Sequence, residues 1–144
     1  MDAWLTDSGY AESMLDYHER AVEVLKNSHR AVLATCGPAG LQAGEFPCEA
    51  RGLSLYLLVP RTSDHLFNLE LDPSVILLST GWDLKGKAEK MSLSTLNHDL
   101  DLLAQPDAEW CALLRIIPDR IQIRREKGWG YIETLELNPS KPSE

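Results

Sequence analysis

The sequence predicts a mainly β protein whose short strands close into an antiparallel barrel. About eight runs rich in β-branched residues and leucine recur along the chain, and turn signals containing Gly or Pro separate most of them. Helical periodicity is confined to a few short segments. Because closure removes exposed strand edges, many short strands favour a closed or split barrel.

The length and the charge limit the classes of function. The chain of 144 residues fits one domain, which we place at residues 1–137, and its polar end at 138–144 is predicted to be a flexible tail. No apolar run approaches the ~20 residues of a membrane span, and the acidic N-terminal residues lack the apolar stretch of a secretory signal. We therefore expect a cytoplasmic protein. A formal net charge of −8 disfavours binding to nucleic acid.

The N-terminal part of the chain predicts a helix followed by three strands. Apolar residues recur at i, i+3, i+4 and i+7 spacing over about residues 11–27, which indicates an amphipathic helix. Beyond it, turns that contain Gly separate short apolar runs. The predicted strands cover residues 31–36, 41–47 and 53–59.

A second, short helix is predicted after the third strand. Thr62 or Ser63 can accept a hydrogen bond from the free amides of its first turn, and the carboxylate of Asp64 favours the positive helix end. The helix is expected to end before Pro73.

The second half of the chain predicts more strands. Gly81 and Gly86 bound a predicted turn, and the spacing of Leu96, Leu100 and Leu103 indicates a short helix. The predicted strands cover residues 74–80, 87–93, 109–117, 120–125 and 131–137, with the turn at 81–86 and the helix at 97–104.

Three cysteines lie in apolar, strand-like segments: Cys36, Cys48 and Cys111. They form no C-x-x-C pair, and no Cys/His pair has the spacing of a zinc site. We therefore predict reduced, buried thiols and no metal site.

The residues from Ser63 to Pro73 carry the most specific pattern, S-x-H-x-x-N-L-x-x-D-P. This pattern resembles the short helix between two strands in the split-barrel, flavin-binding proteins similar to pyridoxamine 5′-phosphate oxidase. Weaker matches follow in the same order, namely Gly86-Lys87-Ala88-Glu89, Leu113 to Ile121 and Gly128-Trp129-Gly130. The last of these, with the His65/Asn68 form of the helix, is similar to the branch related to haem-utilisation proteins.

The resemblance covers about residues 22–137 and implies a fold, a cofactor and an assembly. It implies an FMN-binding split barrel that forms a homodimer, with the ligand in a groove between subunits. In the family, the start of the short helix holds the cofactor phosphate. The implied ligand contacts are Arg61, Ser63 and His65 at the phosphate, and Glu45, Phe46 and Pro47 along the flavin ring.

The helix start departs from the family pattern in its charge. The true oxidases have S-R-K, in which two cations hold the phosphate, whereas this chain has Ser63, Asp64 and His65. The loss of an Arg–phosphate pair should weaken FMN binding unless Arg61, His65 and helix amides substitute for it. The alternatives are therefore a deazaflavin cofactor, a non-catalytic haem binder that uses His65, or a ligand-free barrel that acts as an interaction protein.

The sequence predicts no catalytic residue, and whether the protein is an enzyme stays open. Pyridoxamine-phosphate oxidase activity is not expected, because the basic R-L-x-P ending of the oxidases is absent. If flavin binds, the implied chemistry is hydride or electron transfer to a small organic acceptor. Trp82 and Trp129, each beside a turn glycine, could stack on a planar ring, but such tryptophans more often seal a barrel end or a subunit contact.

Overall fold

The computed structural model describes residues 7–92, 100–124 and 132–137, and the side chains of these residues other than 7–16 and 132. The described ranges contain two α-helices, two short 3₁₀ turns and seven strands. The helices are α1 (Asp7–Lys26) and α2 (Asp64–Leu71), and the 3₁₀ turns are Asp101–Ala104 and Ala108–Trp110. The strands are β1 (Arg30–Thr35), β2 (Gln42–Arg51), β3 (Ser54–Pro60), β4 (Ser74–Ser79), β5 (Trp82–Met91), β6 (Cys111–Arg124) and β7 (Ile132–Glu136).

Six of these strands close an antiparallel barrel in the order β3-β2-β1-β4-β5-β6, and β6 pairs back with β3. The long strand β6 pairs with β3 through its first half and with β7 through its second half. The seventh strand therefore extends the sheet beyond the closed barrel. The predicted mainly β class and split-barrel architecture are confirmed.

Alternation of side chains fills the barrel. In β1, Ala31, Leu33 and Thr35 point inward, whereas Val32 and Ala34 point outward, as the period of two in a strand requires. The interior is aliphatic, with fully buried side chains from several strands: Leu33, Leu55, Leu57, Leu77, Leu84, Leu114, Ile116 and Ile121.

Trp82 packs in the core and does not take the predicted role of stacking on a planar ring. Its side chain is fully buried in the core, and its Nε1 donates to Ser28 Oγ at 2.7 Å. The hydrogen bond links β5 to the segment that follows α1 and satisfies the one polar atom of the ring. The indole is therefore part of the packed core and has no face open to a cofactor ring.

The turn predicted at residues 81–86 is wrong. The chain turns at Thr80 and Gly81, where Ser79 pairs with Trp82 and Gly81 has a φ of +90°. Gly86 lies inside β5, where the register shifts after Lys85. Glycine is required there because two strands approach closely. The sequence pattern alone does not distinguish such a glycine from one in a turn or loop.

The strands predicted at 109–117 and 120–125 are one strand, β6. Pro118 does not break it, because it lies beside the register shift in β5, where the regular hydrogen-bond ladder is already interrupted. Of the helix predicted at 97–104, residues 101–104 form a 3₁₀ turn, and residues 97–99 lie outside the described ranges. The Gly128-Trp129-Gly130 match and the tail at 138–144 also lie outside them.

The predicted burial of the cysteines is confirmed for Cys48 and Cys111 and is wrong for Cys36, which is exposed. Cys36 directly follows the inward-pointing Thr35, so the alternation that runs through β1 places its side chain on the outer side. Burial raises the pKa of the Cys48 thiol to about 11, and that thiol is therefore protonated at neutral pH.

Candidate functional site

Helix α2 begins as the sequence predicts. Ser63 is the N-cap, and its Oγ accepts a hydrogen bond from the backbone N–H of His65 at 3.1 Å. Asp64 is exposed in the first turn, and the helix ends at Leu71, before Pro73. The cap hydroxyl still has its own hydrogen available, so Ser63 can donate to an anion while it caps the helix.

The two most specific residues of the helix motif, His65 and Asn68, are buried. Asn68 makes three hydrogen bonds. Its Oδ1 accepts from the Ala39 backbone N–H at 2.8 Å, and its Nδ2 donates to the Gly40 carbonyl at 2.9 Å and to Thr35 Oγ1 at 3.1 Å. This side chain fixes α2 to the end of β1 and to the β1–β2 hairpin.

His65 completes the same network. Its Nδ1 lies 2.8 Å from Thr35 Oγ1, and its ring meets Phe46 edge-on with centroids 5.3 Å apart. Burial lowers the pKa of His65 below its ordinary value of 6.5, and the nearby Asp64 carboxylate offsets part of that effect. The ring is therefore neutral at pH 7 and brings no positive charge to the helix start.

The lowered pKa of His65 predicts that stability falls as the solution is acidified below pH 6.5. Above pH 6.5 the ring is neutral in both the folded and the unfolded chain. Below it, the unfolded chain takes up a proton before the folded protein does, so the free energy of unfolding decreases until the folded-state pKa is reached. The slope from this group is at most about 1.4 kcal/mol per pH unit.

Urea denaturation between pH 7 and pH 5 measures this loss. The variant His65→Gln should show a shallower pH dependence than the native protein, whatever its absolute stability. His29→Gln is the matched control, because His29 is exposed, and it should keep the native slope. Equal slopes for all three proteins would contradict the assignment to His65.

Arg61 lines a cavity of about 480 Å³. Its side chain is exposed, and its backbone N–H donates to the Trp110 carbonyl at 3.1 Å. Lys90 lines the same cavity, with Met91, Ala112 and Leu113 as apolar lining. The cavity thus combines two cations with an apolar wall.

Lys90 was not among the predicted site residues, and no local pattern connects position 90 with position 61. Strand pairing brings them together, because Pro60 pairs with Cys111, and Met91 pairs with Leu113 two residues further along β6. The sequence therefore carries no short-range signal for this second cation.

The residues predicted along the flavin ring lie on opposite faces of β2. Phe46 points toward the barrel and meets His65. Glu45 and Pro47 alternate with Phe46 and therefore lie on the other face of β2. The exposed Glu45 carboxylate pairs with Arg30 at 3.3 Å. The structure brings Phe46 to His65 but does not bring all six predicted contacts to one surface.

The outer face of the barrel carries an apolar patch, which consists of Val32, Ala34, Ile76 and Leu78. These residues are cross-strand neighbours on β1 and β4, and both Ile76 and Leu78 are 39% exposed. Glu45 pairs with Val32 at one side of the patch, and Lys85 pairs with Ile76 at the other. The apolar patch is thus bordered by charges of opposite sign.

The described residues contain no group of three His, Cys, Asp or Glu side chains that could hold a metal ion. Among the helices that the structure describes, none is long and apolar enough to cross a membrane.

No protein-family model and no curated protein matches the chain, whereas solved structures do. A Clostridium acetobutylicum protein related to general stress protein 26, of the pyridoxinephosphate oxidase family, shares 17% identity over 89% of this chain and 97% of its own, with a TM-score of 0.62. A FAD-binding protein from Mesorhizobium loti shares 14% identity over 72% and 88%, with a TM-score of 0.57.

A haem-binding protein from Mycobacterium smegmatis also has this fold. It shares 18% identity over 83% of this chain and 56% of its own, with a TM-score of 0.56. The resemblance inferred from the sequence is thus confirmed at the level of the fold, since a protein of the pyridoxinephosphate oxidase family and a haem-binding protein share it. Flavin and haem are the ligand classes named among the three neighbours.

Proposed function

We propose that this protein binds a phosphorylated planar cofactor, with FMN as the first candidate, and places its phosphate at Arg61. The observation that carries the proposal is a cavity that Arg61 and Lys90 both line, together with apolar residues. In a chain with a formal net charge of −8, two cations at one cavity form a local exception that suits an anionic group.

The helix start adds little to this phosphate site, because Ser63, Asp64 and His65 do not line the cavity. The exposed Asp64 carboxylate would oppose a phosphate held nearby. His65 is neutral and already bonded to Thr35. Affinity therefore depends on the guanidinium of Arg61, which can form a bidentate pair with phosphate oxygens, and on Lys90.

A bound flavin would supply the hydride or electron transfer. The protein's own part is to hold the phosphate at Arg61 and to shield the ring with Met91 and Ala112. The described residues include no acid or base that we assign to proton transfer in this cavity. The proposal is thus a flavoprotein of oxidoreductase type and excludes pyridoxamine-phosphate oxidase activity.

The proposal includes a homodimer, formed through the apolar patch on the outer face of the barrel. A second copy suits this surface because a two-fold axis through the patch would bring Glu45 of one copy toward the partner's Lys85. Light scattering of the protein with and without FMN measures its mass. If the cofactor also lies at the interface, FMN will favour the dimer.

The test of the site is an FMN titration followed by absorbance and by quenching of flavin fluorescence. Arg61→Ala should weaken FMN binding about tenfold or more, since a charge-assisted hydrogen bond contributes roughly 1.5–3 kcal/mol. Arg124→Ala is the matched control, because Arg124 is also an exposed arginine, paired with Asp83 at 3.2 Å, and lies at the opposite end of β6 from the cavity residues. It should bind FMN like the native protein.

A native protein that leaves the flavin spectrum unchanged, or an Arg61→Ala variant that binds normally, would contradict the proposal. A ligand-free interaction module is the second candidate, and the network of His65, Asn68 and Thr35 favours it, because that network gives the helix motif a purely structural role. A Soret shift with haemin and no response to FMN would instead favour the haem alternative.

A further inference from the structure

We propose that the protein has a second ligand site, for a small zwitterion of the amino acid class, in a cavity of about 450 Å³. The cavity lies between the last turns of α1, the end of β2 and the 3₁₀ turn Asp101–Ala104. Its lining includes neither Arg61 nor Lys90, so this site is independent of the proposed cofactor site.

Hydrogen bonds that the Glu49 carboxylate accepts hold two walls of this cavity together. One carboxylate oxygen accepts from the Leu102 backbone N–H at 2.7 Å, and the other lies 2.7 Å from the Arg51 guanidinium. Glu49 therefore connects β2 to the 3₁₀ turn, both of which line the cavity, and Arg51 compensates its charge. A cavity whose walls are joined in this way is preformed, as ligand sites usually are.

Two charges of opposite sign remain on the lining. Lys26 and Asp101 both line the cavity and have exposed side chains. Among the described residues, no salt bridge joins Lys26 to Asp101 or either of them to another partner. Opposite charges that share one cavity without pairing leave room for a ligand that pairs with both.

The lining also indicates the character of the ligand. A carboxylate would pair with Lys26, an ammonium group would pair with Asp101, and an apolar side chain would contact Val22 and Leu102. Burial keeps the Cys48 thiol in the wall protonated, with a pKa of about 11. The site therefore lacks a nucleophile at Cys48 and is assigned to binding alone.

The test is isothermal titration calorimetry of the full chain with L-leucine and two analogues of similar shape. 4-Methylpentanoate lacks the ammonium group, and 3-methylbutylamine lacks the carboxylate. L-Leucine should bind at least about tenfold more tightly than either analogue, because each analogue loses one charge-assisted contact. 6-Aminohexanoate extends the test to a zwitterion with more widely separated charges.

Substitution of the two charges provides the matched test. Lys26→Met and Asp101→Asn should each weaken binding of the preferred zwitterion about tenfold and leave FMN titrations unchanged. Lys87→Met, at an exposed lysine on β5, should bind the zwitterion normally. The proposal is overturned if neither zwitterion binds at millimolar concentration, if the single-charge analogues bind equally well, or if Lys87→Met weakens binding as much as Lys26→Met.

Discussion

Alanine at position 86 is expected to destabilise the protein by about 3 kcal/mol, among the largest effects of a single methyl group in this fold. A Cβ atom on Gly86 would contact the Ile117 carbonyl oxygen and lie 2.9 Å from Pro118 Cα. Both obstacles are backbone atoms of β6, so no side-chain rotation can relieve the contact. The strands β5 and β6 would have to separate at the register shift, where β5 also pairs with β4.

Urea denaturation of Gly86→Ala measures this cost, and Gly52→Ala is the matched control. Gly52 has a φ of +63°, but a Cβ there would meet nothing within 4 Å. Its substitution should therefore cost only the backbone strain of a left-handed residue, about 1 kcal/mol. If Gly86→Ala is no less stable than Gly52→Ala, the close approach of the two strands does not constrain the fold.

Gly86 also shows why the fold class could be predicted while one of its turns could not. The alternation in β1 and the capping residue Ser63 are local signals, and both lead to the right elements. A glycine, in contrast, has the same sequence signature in a turn as at a close strand contact. Only the pairing of β5 with β6 decides between the turn and the strand contact. A short segment of sequence does not specify which distant strands pair.

The residues of the candidate site likewise include some that local sequence signals predict and others that depend on contacts between distant segments. Ser63 and Arg61 are positioned by the local course of the chain into α2, and both were predicted at the helix start. The companion of Arg61, Lys90, depends on the register of β3, β6 and β5. The inward orientation of His65 depends on the docking of α2 over Thr35, which a helical pattern alone does not specify.

The buried Asn68 provides the second large effect, because leucine at this position should destabilise the protein by about 3 kcal/mol. Leucine has the same branching at Cγ, so it nearly conserves the volume while it removes the polar atoms. The buried Thr35 Oγ1 would lose a donor, and the partly buried Ala39 N–H would lose its acceptor. An unsatisfied buried polar group costs roughly 1–3 kcal/mol. Asn27→Leu is the matched control, since Asn27 is exposed and its substitution should change stability by less than about 0.5 kcal/mol.

A second readout separates the loss of these hydrogen bonds from a general loss of packing. In Asn68→Leu, the Ala39 amide should exchange with solvent much faster than amides of the central strands, because its acceptor is gone while the barrel persists.

Asn68→Asp keeps that acceptor but removes the donor to Gly40, and the carboxylate then faces a carbonyl oxygen. Its pKa should rise, so this variant should recover stability relative to the native protein as the pH falls toward 4. If Ala39 stays protected in Asn68→Leu, or if acidification widens the stability gap for Asn68→Asp, then α2 is held to the hairpin by apolar contacts and not by this side chain.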